Sequence, residues 1–205
     1  EAFGSQYRGL RLRYVVQDEQ LGTGHALQAV EPFVGDRFLV MNGDDLYSVV
    51  DIQKVITYSQ ALLVKEVVDY SKFGMVLVEN GLVKGIVEKP DHFVSRLANL
   101  GLYQLRSSIF PLLKLVKKSS RGEYEITEAL SLLAQQSTVW YAVLQDYWLP
   151  IGYLPQVLEA DRFLRARYGR TPVILGEKVS VGSSSVLKDC SVGDQCQIGE
   201  QVQIS

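Results

Sequence analysis

The chain has 205 residues, of which 47% are hydrophobic and 21% charged, with a formal net charge of −2. That make-up suits a soluble globular protein with one good core and room for a small second unit. It gives no basic excess to hold a nucleic-acid backbone and no apolar run long enough to span a bilayer, so neither nucleic acid nor membrane is an expected partner.

Leu10 to Gln17 alternates and then turns apolar, as a strand does, and Gly22-Thr23-Gly24 leads into a short helix over His25–Val34. Phe38–Met41 is four apolar residues in a row, the habit of a strand buried on both faces of a parallel sheet. It stops at Asn42-Gly43-Asp44-Asp45, a turn signal followed by two carboxylates. At the carboxyl end of a strand in an open α/β sheet this is where ligands bind, and hard cations such as Mg²⁺ take carboxylate oxygens there. The alternative is an Asp pair that caps the next helix, read over Val49–Tyr58 with a start near Asp51. Strand–helix–strand–helix at this spacing implies βαβ units and a mainly parallel, helix-covered sheet.

Ala61–Val68 and Phe73–Val78 read as strands. Glu79-Asn80-Gly81 is a hairpin turn, and Leu82–Glu88 returns as its partner. Leu97–Leu105 is a further strand, interrupted at Gly101. A helix is predicted from Ser107/Ser108 through Lys118, its last turn carrying Lys114, Lys117 and Lys118. A second helix follows over Glu125–Gln136, then a strand over Val139–Leu144 and an amphipathic helix over Leu154–Tyr168. From Val173 a small motif recurs, mostly every six residues: Leu175-Gly176, Val181-Gly182, Val192-Gly193 and Ile198-Gly199, continued by Ile204. Its spacing slips between Val181 and the Val186/Leu187 pair. This pattern fits the hexapeptide repeat of a left-handed parallel β-helix and divides the chain near Gly169–Pro172, into 1–170 and 171–205. Cys190 and Cys196 lack metal-ligand spacing; both are expected as small core residues in a reducing, cytoplasmic compartment.

The chemistry-bearing residues each have a plain alternative. Gly22-Thr23-Gly24 after a strand lets backbone N–H groups approach a ligand, yet an ordinary helix entry looks the same. It is neither a dinucleotide fingerprint nor a Walker loop. Gln17 offers an amide donor and acceptor that suit a pyrimidine edge. His25 falls inside the helix, where a structural role is expected. Glu88-Lys89-Pro90 places beside one another a carboxylate able to accept from two sugar hydroxyls and an ammonium able to neutralise a phosphate; a solvated edge pair is the alternative. Asn99-Leu100-Gly101 signals either a bulge or close approach of a ligand. Tyr103 and Tyr147 are expected to pack.

In order, Gln17, Gly22-Thr23, Asp44, Gly74, Glu88-Lys89-Pro90, Asn99-Leu100-Gly101, Gly122-Glu123-Tyr124 and Ile126-Thr127 resemble the sugar-1-phosphate nucleotidylyltransferases, particularly those whose catalytic domain precedes a left-handed β-helix. The segment QDEQLGTGHAL is especially close to the base-binding segment of N-acetylglucosamine-1-phosphate uridylyltransferases; glucose-1-phosphate thymidylyl- and uridylyltransferases are similar too. The resemblance implies that Gln17, Gly22 and Thr23 hold the base and that Asp44 ligates Mg²⁺. It implies that Gly74, Glu88 and Asn99 hold the sugar while Lys89 faces its phosphate. The implied reaction joins an NTP to a sugar-1-phosphate and releases pyrophosphate. UTP and dTTP, and glucose-1-phosphate and N-acetylglucosamine-1-phosphate, are all compatible with these residues.

Two features depart from the family pattern. Its glycine-rich triphosphate loop is expected upstream of Glu1, as in a fragment that opens on Glu-Ala-Phe rather than Met. Its second metal-binding Asp, usually within Trp-x-Asp-x-Gly, is replaced in Trp148-Leu149-Pro150-Ile151-Gly152, and proline cannot ligate a metal; Asp45 or Asp146 is a candidate substitute. A catalytically silent regulatory relative is therefore one rival reading. An acyltransferase working through a complete β-helix is another, although residues 173–205 contain no His. A plain trimerisation scaffold is the third. Leu175, Val181, Val192, Ile198 and Ile204 are the expected inward residues of a tail too short to bury itself, and a homo-oligomer, with a trimer first, is expected to cover it.

Overall fold

The computed structural model describes residues 3–169 and 173–204. The expected boundary near Gly169–Pro172 therefore falls largely outside the described residues. Two compact units form, Glu1–Trp148 and Leu149–Ser205.

The first unit is α/β. After a small hairpin of β1 (Gln6–Tyr7) and β2 (Leu10–Arg11) come α1 (Thr23–Ala29), β3 (Arg37–Met41), β4 (Asp45–Tyr47), α2 (Val49–Val55), β5 (Ala61–Glu66), β6 (Gly74–Glu79) and β7 (Leu82–Glu88). Then follow β8 (Leu97–Arg106), α3 (Ile109–Leu113), α4 (Ile126–Gln136) and β9 (Trp140–Val143). The main sheet has the order β7-β6-β8-β5-β9, with β3 paired to β8 as well. Its faces carry separate cores. Ala61 and Leu63 of β5 join Leu100 and Leu102 of β8 on the α2 side. Leu62 and Val64 join Tyr103, Leu105 and the buried stripe Ile126, Ala129, Leu130 and Leu133 of α4 on the other. Burial on both faces is why β5 reads as an unbroken apolar run.

The ladder directions correct the mainly parallel expectation. Among the described residues of the main sheet only β5–β9 runs parallel; β8 runs antiparallel to β3, β5 and β6, and β6–β7 is a hairpin. That hairpin turns through Asn80 and Gly81, both at positive φ, the geometry that matches strand twist in a two-residue connection. Strand order is thus set by the long β8 rather than by βαβ crossovers alone.

Three local expectations also change. The strand over Leu10–Gln17 reduces to Leu10–Arg11, because among the described residues no strand lies beside the rest; Val16 is 76% exposed. Phe38–Met41 is half-buried rather than central, since among the described residues β3 pairs with β8 alone. The helix expected through Lys118 stops at Leu113, and the chain turns back so that Lys118 bridges Tyr124.

In the second unit, β10 (Trp148–Pro150) lies at the boundary and α5 (Leu154–Tyr168) leads to six two-residue strands. β11 (Ile174–Leu175) pairs β14 (Ser191–Val192), β12 (Ser180–Val181) pairs β15 (Gln197–Ile198), and β13 (Val186–Leu187) pairs β16 (Gln203–Ile204), all in parallel. Two coils are therefore stacked over three sides, each strand lying 17 residues from its partner. Carboxylates tie the corners: Asp194 accepts from the Glu177 N–H at 2.7 Å, and Glu200 from the Ser184 N–H at 2.8 Å. Leu187, not Val186, turns inward, so the slip lies between Leu187 and Val192, where Asp189 takes positive φ. Leu175 and Ile204, at the two ends of the stack, are exposed. Cys190 is buried as expected, but Cys196 is exposed.

One buried carboxylate ties the start of α2 to the chain just after β9. Ser48, not the Asp pair, caps α2, and its hydroxyl donates to Asp51 at 2.5 Å. Asp51 is fully buried and accepts from the N–H groups of Gln145 at 2.7 Å and Asp146 at 3.2 Å. Asp51→Ala leaves three donors unpaired in the interior and is expected to cost about 2–4 kcal/mol in urea denaturation. A loss below about 1 kcal/mol would show that this junction is not held by Asp51.

Candidate active site

The pocket opens where β8 bends. Gly101 interrupts β8 at φ +74°, and a Cβ there would lie 2.1 Å from the Asn42 amide nitrogen. Only glycine leaves that space, so the loop after β3 closes onto β8, with the Asn42 N–H donating to the Gly101 carbonyl at 3.0 Å. Asn42 then donates its side-chain amide to Asp45 at 3.2 Å. The Tyr47 hydroxyl shares its one proton between Asp45 at 3.0 Å and the Leu100 carbonyl at 2.7 Å. Burial pushes the Asp45 carboxyl up, against hydrogen bonds that favour its anion. Asn99, two residues before the bend, donates to the Tyr103 hydroxyl at 2.7 Å.

Gly74 and Glu88 face each other across the β6–β7 ladder. A Cβ on Gly74 would stand 2.8 Å from the Glu88 carboxylate, so the glycine makes room for that side chain. Thr127, in the first turn of α4, donates to Glu88 at 3.3 Å, and the Arg121 guanidinium lies 3.7 Å away. Burial raises the Glu88 carboxyl first, and the neighbouring Glu125 charge raises it further; Arg121 and Thr127 pull it down.

The glycine turn is clamped onto the loop before α4. Gly22 has φ +101°, and a Cβ would meet Glu123 at 2.8 Å and the Tyr124 carbonyl at 2.9 Å. The Gly24 N–H donates to that carbonyl at 2.8 Å, the Tyr124 N–H to Leu21 at 2.7 Å, and Thr23 accepts from the Ile126 N–H at 3.1 Å. The close backbone approach anticipated for a ligand is thus made to the protein itself, at least on this side of the turn. Gln17 is anchored from behind: its amide nitrogen donates to the Gly22 carbonyl at 3.1 Å and lies 2.9 Å from His25 Nδ1. His25 therefore braces Gln17.

Together these elements enclose a cavity of about 290 Å³. Its walls include Thr23, Gly74, Glu88 and Asn99 of the expected set. Gln17 and Gly22 stand behind Thr23 rather than in the wall, and the backbone of Lys89 turns away at φ +41° with its side chain exposed. Asp44 is exposed at the rim beside Asp45, which does line the cavity. Arg121, Glu125 and Asp45 join the walls although no site role was anticipated for the first two. Arg121 immediately precedes the Gly122-Glu123-Tyr124 motif, which was the available cue. Among the described residues, no three His, Cys, Asp or Glu side chains cluster as a metal cage. No described helix is long and apolar enough to cross a membrane.

Residues 1–167 match the family model described as Nucleotidyl transferase. Bifunctional protein GlmU of Methanococcus maripaludis is 32% identical over 186 residues, covering 89% of this chain and 45% of that protein. The chain thus spans less than half the length of this relative. The UTP–glucose-1-phosphate uridylyltransferase AglF of Haloferax volcanii is 35% identical over 172 residues, 80% of this chain and 71% of the relative. A UDP-glucose pyrophosphorylase solved with UDP-glucose superposes with a TM-score of 0.65 at 27% identity, covering 76% of this chain and 66% of that one. With the matched residues running through the glycine turn, both strand ends and the α4 loop, the chain belongs to the nucleotidyl transferase family.

Proposed function

We propose that the protein transfers a nucleotidyl group from a pyrimidine NTP to a sugar-1-phosphate, releasing pyrophosphate. One observation carries this reading: a single cavity joins Thr23 of the glycine turn to Gly74, Glu88 and Asn99 at the strand ends. The relative of which the chain covers 71% is named for UTP and glucose-1-phosphate, and that pair is the first choice of substrates.

In this reading Gln17, held by His25, reads the base edge, and Gly22 and Thr23 support it. Glu88 accepts from sugar hydroxyls, Asn99 supplies an amide, and the Gly74 backbone faces the sugar while its missing side chain leaves room for Glu88. Lys89, exposed beside Glu88, reaches the sugar phosphate as a point charge. The phosphate oxygen attacks the α-phosphorus in line, the P–O bond to pyrophosphate breaks, and the electron pair leaves with pyrophosphate. The protein's part is positioning and charge balance rather than covalent chemistry.

Asp44 suits Mg²⁺, which is commonly held by one or two carboxylates plus substrate phosphates and water rather than by an all-protein cage. Bound there, it would neutralise phosphate charge as the α-phosphorus is attacked. Pro150, standing where the family usually has its second metal-binding Asp, favours a second reading: a catalytically silent relative that binds the same ligands. Cytoplasmic residence belongs to the first reading, because nucleoside triphosphates are supplied there.

Coupled pyrophosphate release on mixing the protein with UTP, Mg²⁺ and glucose-1-phosphate tests the reaction. Release should require all three, and Asp44→Asn should lower it by about 10²–10³-fold. Binding of both ligands without release favours the silent relative; binding of neither overturns both readings. Gly74→Ala should push Glu88 aside and weaken glucose-1-phosphate binding by about tenfold or more, with UTP affinity nearly unchanged in calorimetry. Equal loss for both ligands would mean that Gly74 serves only the fold.

For the tail we infer side-by-side packing into a homo-oligomer, with a trimer first. Ile174 and Leu175 are about half exposed, at 53% and 49%, and two coils give little interior of their own. Sedimentation at micromolar concentration should show an oligomer that dissociates when residues 173–205 are removed. A monomer with the tail intact would contradict this.

A further inference from the structure

We propose that Arg121 is a positioning residue for sugar recognition, holding Glu88 as an oriented anion in the cavity wall. The inference rests on the reading of Glu88 as the hydroxyl-accepting group. Arg121 Nη2 lies 2.7 Å from Glu125 Oε1, 3.7 Å from Glu88 Oε1 and 3.7 Å from Glu123 Oε2. Three carboxylates therefore converge on one guanidinium. Glu125 is the most enclosed, its side chain 8% exposed, and Glu88 is 27% exposed.

Like charges this close oppose one another, and each favours protonation of its neighbour; Arg121 and Glu123 are 41% and 40% exposed, so solvent screens part of the effect and the enclosed Glu125 feels it most. Of the three, Arg121 Nη2 hydrogen-bonds only Glu125; its charge lies 3.7 Å from both Glu88 and Glu123, and the bond to Glu125 fixes where that charge sits relative to Glu88. The other groups facing Glu88 do not replace it. Thr127 donates a neutral hydrogen bond to the second carboxylate oxygen. Lys89 follows Glu88 in sequence but has an exposed side chain. Lys72 lines the cavity and pairs with Asp69 at 2.9 Å. Asp45 and Tyr103, which also line the cavity, bring no positive charge.

The guanidinium is also anchored before any ligand arrives. Ser119 donates to the same Glu125 oxygen at 3.0 Å, the Gly122 N–H closes the loop onto Ser119 at 2.8 Å, and Tyr124 ties it to Leu21. Arg121 thereby sits on a loop fastened to the glycine turn while it reaches the carboxylate of the opposite wall.

The sign of the effect follows. Removing Arg121 takes away a charge that favours the Glu88 anion, so Glu88 should take up its proton at higher pH. A protonated carboxyl accepts from fewer hydroxyls, and sugar-phosphate binding should fail earlier on acidification.

The test uses Arg121→Gln and Arg121→Lys in the full chain, with Glu88→Gln to identify the resonance. Carboxyl NMR of the ligand-free protein should show the Glu88 midpoint rising by about one unit or more in the Gln variant. Calorimetry between about pH 5 and 8 should show glucose-1-phosphate affinity falling by about tenfold, its acid limb moved up in pH, and UTP affinity within about twofold of wild type. The Lys variant should restore part of both effects. A Glu88 midpoint unmoved in the Gln variant, in a chain that still binds glucose-1-phosphate, overturns the role of Arg121 alone. A parallel loss of UTP and sugar-phosphate affinity with an unchanged pH profile overturns it in favour of a merely structural part. A wild-type chain that binds no glucose-1-phosphate overturns the inference together with the reading of Glu88.

Discussion

The ten residues of β8 carry the ladders on which the first unit depends. One edge pairs with β5 along its length, while the other meets β6 at Ala98 and β3 from Leu102 to Arg106. A strand shared in this way must bend where one neighbour gives way to the next, and Gly101 supplies the bend. The consequence is functional as well as architectural. Asn42 can close against β8 only because Gly101 has no side chain, and that closure brings Asp45 into the same wall as Asn99. A backbone conformation that only glycine adopts at little cost is here what lets the loop close and shape the cavity.

The second constraint is the seam between the glycine turn and the loop before α4. Its hydrogen bonds are mostly backbone to backbone, so they survive most side-chain changes and fix the distance between the two halves of the cavity. Onto this seam are added the charges of Arg121, Glu123 and Glu125. Exposed ion pairs contribute little on their own, but Glu125 is nearly enclosed, and enclosed carboxylates demand partners. The arrangement ties down the loop between the glycine turn and Glu88.

Much of this was legible in the residues because local signals agreed. The Asn80-Gly81 hairpin, the helix ending at Gln136 and the strand beginning at Ala61 each follow from one local pattern, and each is present in the structure. Ladder direction was not legible, since an antiparallel strand buried on both faces has the same apolar run as a parallel one. The Leu10–Gln17 stretch shows the converse: alternation makes a strand only when a neighbour accepts its hydrogen bonds. At the site, glycines and strand ends were readable from Gly74, Glu88 and Asn99. Arg121 and Glu125 were not, because an Arg and a Glu four residues apart look like surface charge until a tertiary contact encloses them. The inward turn of Leu187 escaped notice for a similar reason, as a single short repeat disguises the register on either side of it.

In the proposed reading one cavity receives a nucleotide at the glycine turn and a sugar phosphate at the strand ends. Amide chemical-shift mapping of the isotopically labelled chain, titrated separately with UTP and with glucose-1-phosphate, tests this most directly. UTP should move Gln17, Gly22 and Thr23, and glucose-1-phosphate should move Gly74, Glu88, Asn99 and Thr127. Shifts confined to residues 173–204, or absent from both walls of the cavity, would contradict a site built for two substrates.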